Sequence, residues 1–352
     1  MKIVSVEAYP VKLTLQEPFT IAYSTIDHTI NYFLRVETNS NIVGYGCSAY
    51  DEEVTGENSV TLKRDLNDVA IPLLLNKDPL SYQSLIKEVK KNLPNSPTAL
   101  AAVDMALFDI ASKKANLPLY RFLGGGSRTK IKTSITIGIL PIEESVKKAI
   151  EWKQRGYLAL KVKGGVSYQE DIEKLKKIRE AVGSEIDIYF DANQGYSEKE
   201  ASLVIKTLAK VGSKFIEQPC DKNDLEVFSR LKGELPIMAD ESVLSGSDVL
   251  KLISRGGSDL YNIKLAKSGG ILGALEFDAI SEASGSATMV GCMDEAALGI
   301  SGALHFTLAR DNVKFADLDG HVEFIDDPSY NAVIIKDGYI YPKDQIGLGF
   351  KD

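Results

Sequence analysis

The stretch IDIYFDANQGYSEKEASLVIKTLAKVGSKFIEQP, residues 186–219, decides the fold. It opens on a strand-like run, Ile186–Asp191, rich in β-branched and aromatic residues and ending on an acid. Ser197-Glu198-Lys199-Glu200 then forms a capping box, the signature of a helix start, and Gly212 stands past the helix end. A second short strand, Lys214–Glu217, follows and again ends on an acid. The stretch therefore reads as one strand–helix–strand unit.

The same rhythm extends both ways from this unit, with a repeat of roughly 25 residues, compatible with a barrel. Further strands are expected at Thr133–Ile137, Leu158–Lys163, Ile237–Asp240, Leu260–Lys264, Ala287–Gly291 and Lys314–Asp317, with helices between. Eight strand candidates with chemistry repeated at their ends favour a closed α/β barrel of (β/α)7β type over an open doubly wound sheet. The first ~110 residues have a different rhythm. Strands at Lys2–Leu15, Tyr32–Glu37 and Ile42–Tyr45 precede helices at Ser59–Leu75, Leu80–Lys91 and Ala99–Ala115, an α+β pattern. The end of the chain returns to strands, Ala332–Ile335 and Tyr339–Tyr341, around Asp337-Gly338. The expected units are residues 1–115, 116–320 and 321–352, the last packing back on the first.

Composition excludes several classes. Forty-nine acids against 41 Lys and Arg give a net charge of -8, which disfavours nucleic acid and anionic membranes. No run approaches the ~20 apolar residues of a membrane span. MKIVSVEAYPVKLTL alternates apolar and polar residues, so no secretory leader is expected. Cys47, Cys220 and Cys292 are too scattered for a zinc site or disulfide framework, which points to a reducing cytoplasm and packing thiols. His305 reads as a core residue and His321 as an exposed one. Lys267-Ser268-Gly269-Gly270 could offer backbone amides to an anion, or simply pack a strand against its helix.

Chemistry concentrates at the strand ends. Asp191, Glu217 and Asp240 end three successive strands and would converge on one barrel face. One such acid would ordinarily cap the next helix, but three in step would repel without a cation, and hard oxygen donors suit Mg²⁺. Lys161 and Lys163 alternate onto the barrel interior, and Lys264 ends the strand expected opposite. Lysine beside lysine lowers the pKa of one and makes it a base. A substrate carboxylate at the metal would hold its α-carbon between two amines, one removing a proton and the other returning one, through an enediolate.

With AAVDMALFDIASKKANLPLYRFLGG (101–125), LKVKGG (160–165), DANQGY, EQP, ADES (239–242) and NIKLAKSGG (262–270), the chain resembles the enolase superfamily, muconate-lactonizing subgroup, over its whole length. Asp317 and Asp319 in ADLDGH make it most similar to the dipeptide epimerases. The resemblance implies Lys163 and Lys264 as acid/base pair and Lys161 as a support for the substrate carboxylate. It implies Asp317 and Asp319 as holders of a dipeptide's α-ammonium, and a capping domain with lid loops at Thr20–His28 and Asp51–Gly56. It also implies self-association. Ser24 stands where Ala-Glu epimerases carry an arginine, so an acidic second residue is not expected. Asp294, expected near the ammonium pocket, points to a cationic or neutral polar dipeptide. A cycloisomerase, an o-succinylbenzoate synthase or an N-acylamino acid racemase would use the same metal and lysines, but none has an ammonium for Asp317 and Asp319. A ligand-binding barrel without catalysis is the alternative from another class.

Overall fold

The computed structural model describes residues 1–21 and 24–351. The N-terminal unit is a three-stranded antiparallel sheet of β1 (Ile3–Thr20), β2 (Thr25–Thr38) and β3 (Val43–Ala49). The helix Pro97–Lys114 lies on it, buried along nearly its whole length. Its run of alanines lets the backbones approach closely. A Cβ on Gly46 of β3 would stand 2.0 Å from the Ala102 carbonyl oxygen, so only glycine fits there.

Two elements differ from the sequence expectation. The helix expected over Ser59–Leu75 is broken into Ser59–Arg64, a π-turn Asp65–Ala70 and Ile71–Leu74. Pro72 has no N–H to continue the α ladder, and Ile71 N–H reaches back five residues to the Leu66 carbonyl instead. Within the expected lid loop at Thr20–His28, Thr20 and Thr25–His28 are strand, and Ala22 and Tyr23 lie outside the described residues. The β1–β2 ladder runs to the pair Thr20 and Thr25, whose hydroxyls lie 3.0 Å apart. The β-branched residues Thr20, Thr25, Ile26, Thr29 and Ile30 favour that extension.

After β4 (Ile131–Lys132) comes the barrel: β5 (Ile135–Ile137), β6 (Ala159–Lys163), β7 (Asp187–Asp191), β8 (Phe215–Glu217), β9 (Ile237–Ala239), β10 (Leu260–Ile263), β11 (Ala287–Val290) and β12 (Val313–Ala316). The eight strands are parallel and neighbours in sequence order. Thr133 bridges Ala316, and Ser134 N–H donates to the Ala316 carbonyl at 3.1 Å, closing the sheet on itself. Side chains two apart on a strand share a face. Ala159, Tyr189, Phe215, Met238, Leu260 and Met289 thus form one apolar cluster inside the barrel, with Tyr189 and Phe215 stacked at 4.7 Å. Two residues further along the same faces stand Lys161, Asp191, Glu217, Asp240 and Asn262. The barrel is therefore apolar at its floor and charged at the C-terminal end of its strands. Outward residues such as Leu160, Ile188, Ile216 and Ile263 join the large core under the helices.

At the C-terminus, β13 (Val333–Lys336) and β14 (Tyr339–Pro342) form a hairpin through Asp337 and Gly338, both with positive φ. β14 pairs with β4 at the entry to the barrel. The tail beyond reaches the N-terminal unit, where Leu348 N–H donates to Asp109 at 2.8 Å and the Phe350 ring meets Tyr45 edge-on.

The two units are joined by a buried cap. The barrel helix Ile271–Ala283 starts after Gly270, which has no side chain to cap it. Asp104 of the Pro97–Lys114 helix accepts from Ile271 N–H at 2.6 Å and Leu272 N–H at 3.1 Å. A Cβ on Gly270 would stand 2.4 Å from the Asp104 carboxyl carbon. The amides at 271–272 are therefore taken by the protein itself and are not free for an anion. Asp104→Ala should cost about 2–3 kcal/mol by orphaning one buried and one part-buried donor, read as a lower denaturant midpoint with unchanged slope.

Candidate active site

Strand register sets the site. Lys163 pairs with Asp191, and Asp191 with Glu217, so three charged strand ends stand at one level. Asp240 and Lys264 directly follow β9 and β10, and Asp317 follows β12. β6 and β10 lie four strands apart in the closed eight-stranded sheet, which puts Lys163 and Lys264 on opposite walls. The chain leaves β7 and β8 through residues with positive φ, Asn193 and Gln218, a backbone conformation that costs energy and clusters at functional sites.

The charges interlock. Lys161 Nζ lies 3.1 Å from Asp191, 2.9 Å from Glu217 and 2.8 Å from Asp317. Lys163 donates to Asp191 at 2.8 Å and to the Asn193 side-chain oxygen at 2.9 Å. Lys264 donates to Asp240 at 2.9 Å, and Lys267 donates to the same carboxylate. Ammonium groups thus stand between the acids. Among the described residues, no three acid, histidine or cysteine side chains come together as a cluster of ligands by themselves.

Burial and neighbours pull the ionisations apart. Burial works against the charge of Lys161, yet Asp317, Glu217 and Asp191 outweigh it and hold its pKa well above the usual lysine value. Lys264 is likewise buried but raised well above that value, chiefly by Asp240. At Lys161 and Lys264 the acids outweigh both burial and the neighbouring ammonium. Lys267 alone is lowered, by burial, although Asp240 opposes. Burial disfavours the Asp191 charge, but Lys163 and Lys161 hold its carboxyl at about 2. Asp240 is held well below the carboxylate range, Lys264 and Lys267 overcoming its burial. Burial, with Asp191 beside it, pushes Glu217 up to about 8. Burial and Asp240 push Glu241 up to about 7.

Asp319 and Asp317 stand together, and burial plus that neighbour raise Asp319 to about 7. Asp319 accepts from Thr136 N–H at 2.6 Å, and Asp317 from the Ser134 hydroxyl at 2.6 Å. Asp294 is raised to about 6 by burial, with Asp51 adding to it and Lys163 and Lys264 opposing. The charged groups that act on it most are the lysine pair and Asp51, and the segment that carries it packs against Gly320, next to Asp319. Ser24 is exposed at the hairpin tip. Ser24, Lys161, Lys163, Lys264, Glu241, Asp294, Asp317 and Asp319 line one cavity of about 450 Å³ together with Asp51, Glu52 and Glu53, while Asp191, Glu217, Asp240 and Lys267 lie buried outside its lining.

Some participants escaped the sequence reading. Asn193 links Lys163 to Glu241, donating to the latter at 3.0 Å. Both lie in motifs already singled out, DANQ and ADES, within two residues of a strand-end acid. Lys267 was read for its backbone amides, but it is its ammonium that matters. Cys292 lines the cavity as a free thiol, while Cys47 and Cys220 are buried and unpaired. His305 is a core residue accepting from Tyr120 N–H. His321 is also buried, correcting the expectation of exposure, with its ring beside Tyr330. No helix among the described residues is long and apolar enough to cross a membrane.

Known proteins place this arrangement. Residues 3–124 match the N-terminal domain of the mandelate racemase / muconate lactonizing enzyme family, and residues 144–351 match the enolase C-terminal domain-like family. An L-Lys-D/L-Arg epimerase of Desulforapulum autotrophicum is 37% identical, covering 100% of this chain and 99% of that protein. A hydrophobic dipeptide epimerase of Enterococcus faecalis is 37% identical over 91% of this chain and 90% of its own. The dipeptide epimerase of Methylococcus capsulatus, solved with Mg and L-Arg-D-Lys, superposes with a TM-score of 0.96 at 31% identity, covering 99% of both chains. Two family matches that between them span nearly the whole sequence, and a charged barrel mouth under an α+β cap, lead to one conclusion: the chain belongs to the mandelate racemase / muconate lactonizing enzyme family of the enolase superfamily.

Proposed function

We propose that the protein is a Mg²⁺-dependent dipeptide epimerase that inverts the α-carbon of the C-terminal residue. The observation that carries this is the placement of Lys163 and Lys264 on opposite walls of one cavity, with a carboxylate triad between them and an aspartate pair beyond. Asp191, Glu217 and Asp240 are the proposed metal ligands. They fit a hard cation. Lys161 Nζ stands 2.9 Å from Glu217 Oε2 and 3.1 Å from Asp191, so the buried carboxylates converge on a point that already holds positive charge, and burial with Asp191 beside it still raises the Glu217 carboxyl. When bound, Mg²⁺ would draw charge from the substrate carboxylate and so acidify the adjacent C–H.

The chain's own residues do the rest. A neutral lysine on one face accepts the α-proton, and a protonated lysine on the other face donates one. Repeating the transfer in reverse restores the starting isomer, so no net atom is gained or lost. Asn193 orients Lys163 by accepting a hydrogen bond from its Nζ. Lys161, buried among three carboxylates, remains charged and keeps Asp191, Glu217 and Asp317 in place. Asp317 and Asp319 hold the substrate's α-ammonium, which fixes which end of the dipeptide meets the lysines. The β1–β2 hairpin and the Asp51–Gly56 segment cover the cavity and exclude water.

For specificity, the reading is a cationic side chain on the C-terminal residue. Asp294, with Asp51 beside it, stands near Lys163 and Lys264, Glu52 and Glu53 add acid to the cavity wall, and Ser24 supplies no positive charge for an acidic side chain. The D. autotrophicum and M. capsulatus relatives, named for lysine- and arginine-containing dipeptides, support this choice over the hydrophobic one.

The test is deuterium uptake from D₂O by pooled L,L-dipeptides with Mg²⁺, followed by mass spectrometry. Dipeptides ending in Lys or Arg should gain one deuteron, and L-Ala-L-Glu should not. Absence of uptake by any dipeptide would remove the assignment. Asp294→Ala should lower kcat/KM for dipeptides ending in Lys or Arg about 10-fold relative to those ending in Ala. An unchanged preference would remove Asp294 from the specificity reading.

A further inference from the structure

A second cavity of about 390 Å³ lies between the β1 end and the first barrel helix. It shares three wall residues, Phe19, Thr136 and Glu323, with the active-site cavity. We infer that Glu323, on this shared wall, reads the side chain of the dipeptide's N-terminal residue and selects a cationic one. The inference rests on the proposed epimerase reading and extends it to the other end of the substrate.

The placement follows from the aspartate pair. An α-ammonium held by Asp317 and Asp319 sets the N-terminal residue beside Thr136, whose N–H donates to Asp319. From there its side chain can extend along the wall formed by Phe19, Thr136 and Glu323. Glu323 is fixed in position by its backbone, since Gln16 N–H donates to its carbonyl at 2.8 Å and Leu15 bridges Phe324 next to it. Its carboxylate has no hydrogen bond or ion pair among the described residues.

The nearby charges leave it uncommitted. Lys148 and Arg155 are the cations that face it, and Glu17 and Glu151 the acids. Lys148 is taken by Glu17 at 2.6 Å. Arg155 lies over the Trp152 ring and within 3.8 Å of Glu151. Burial accordingly raises the Glu323 carboxyl above its ordinary value, the condition that an incoming ammonium or guanidinium would relieve. Phe19 offers an apolar surface for the methylene stem of a lysine or arginine.

The experiment compares L-Lys-L-Lys with L-Ala-L-Lys, identical at the reacting residue, in wild type, Glu323→Gln and Glu323→Lys. Wild type should favour L-Lys-L-Lys. Glu323→Gln should lower its kcat/KM about 10- to 100-fold, mainly through KM, and leave L-Ala-L-Lys within about twofold. Glu323→Lys should turn preference toward L-Glu-L-Lys. An equal fall on both substrates would assign Glu323 a structural role and overturn the inference, as would an unmoved ratio. If dipeptides exchange but the ratio does not respond, only this inference fails. If no dipeptide exchanges in wild type, the epimerase reading falls and this one with it.

Discussion

Replacing Lys163 or Lys264 by alanine is expected to reduce inversion of the α-carbon by roughly 10³–10⁴-fold, the upper part of the range for loss of a positioned acid or base. The two variants should differ in what survives. Each lysine faces one side of the substrate, because β6 and β10 are opposite each other in the barrel. With one lysine gone, the isomer whose α-proton faces the remaining lysine can still lose that proton and regain a deuteron from the same side. Lys163→Ala should therefore exchange one stereoisomer without inverting it, and Lys264→Ala the other. The fold should tolerate both changes. Asp191 keeps Lys161 at 3.1 Å when Lys163 is removed, and Asp240 keeps Lys267 when Lys264 is removed, so neither substitution leaves a buried carboxylate without a cation. Exchange measured separately on the L,L and L,D dipeptides decides the point. Equal loss of both isomers in both folded variants would mean that the lysines do not divide the two faces.

The part of this site that could be read from the sequence is the part written in local periodicity. A strand of five residues ending on a charge, repeated with helices between, specifies both the barrel and the face on which Lys161, Lys163, Asp191 and Glu217 lie. Alternation does this within a few residues, and the apolar cluster of Ala159, Tyr189 and Phe215 two positions earlier follows the same rule. What could not be read was which charge meets which. Lys161 meets Asp317 across 156 positions of sequence, a pairing set by closure of the sheet and not by any neighbour in the chain. The raised pKa of Lys264 depends on Asp240, 24 positions away, and so on the same closure of the sheet. Asp104 and Lys267 were hidden for a similar reason. Each looks like an ordinary polar residue on its helix, and only packing reveals its partner: Asp104 meets a helix of the other unit, and Lys267 turns back onto Asp240 and Asn262 inside the barrel. The length of the β1–β2 hairpin was obscured because IAYSTIDH mixes turn-forming and β-branched residues, and pairing with a neighbour decided between them.

Removing divalent cations should abolish proton exchange, by at least roughly 10³-fold, and Glu217→Gln should do the same while revealing the reason. Glu217 is fully buried beside Asp191 and Asp240, and Lys161 and Lys264 offset part of that repulsion. One of its oxygens accepts from the Asn262 amide at 2.7 Å, and the other lies 2.9 Å from Lys161 Nζ. Glutamine has the same shape and removes the like-charge repulsion. Without added cation, the variant should therefore unfold at the same temperature as wild type or above it. With Mg²⁺ the order should reverse. A cation at a thousand times its dissociation constant stabilises the native state by about 4 kcal/mol, which wild type should show as a rise of several degrees in Tm. The variant, one anionic donor short, should gain little. Crossing of the two melting curves as Mg²⁺ is added assigns the carboxylates to a metal by a measurement that needs no substrate. Equal gains for both proteins would show that Glu217 is not a ligand, and its burial among acids would then require a different partner.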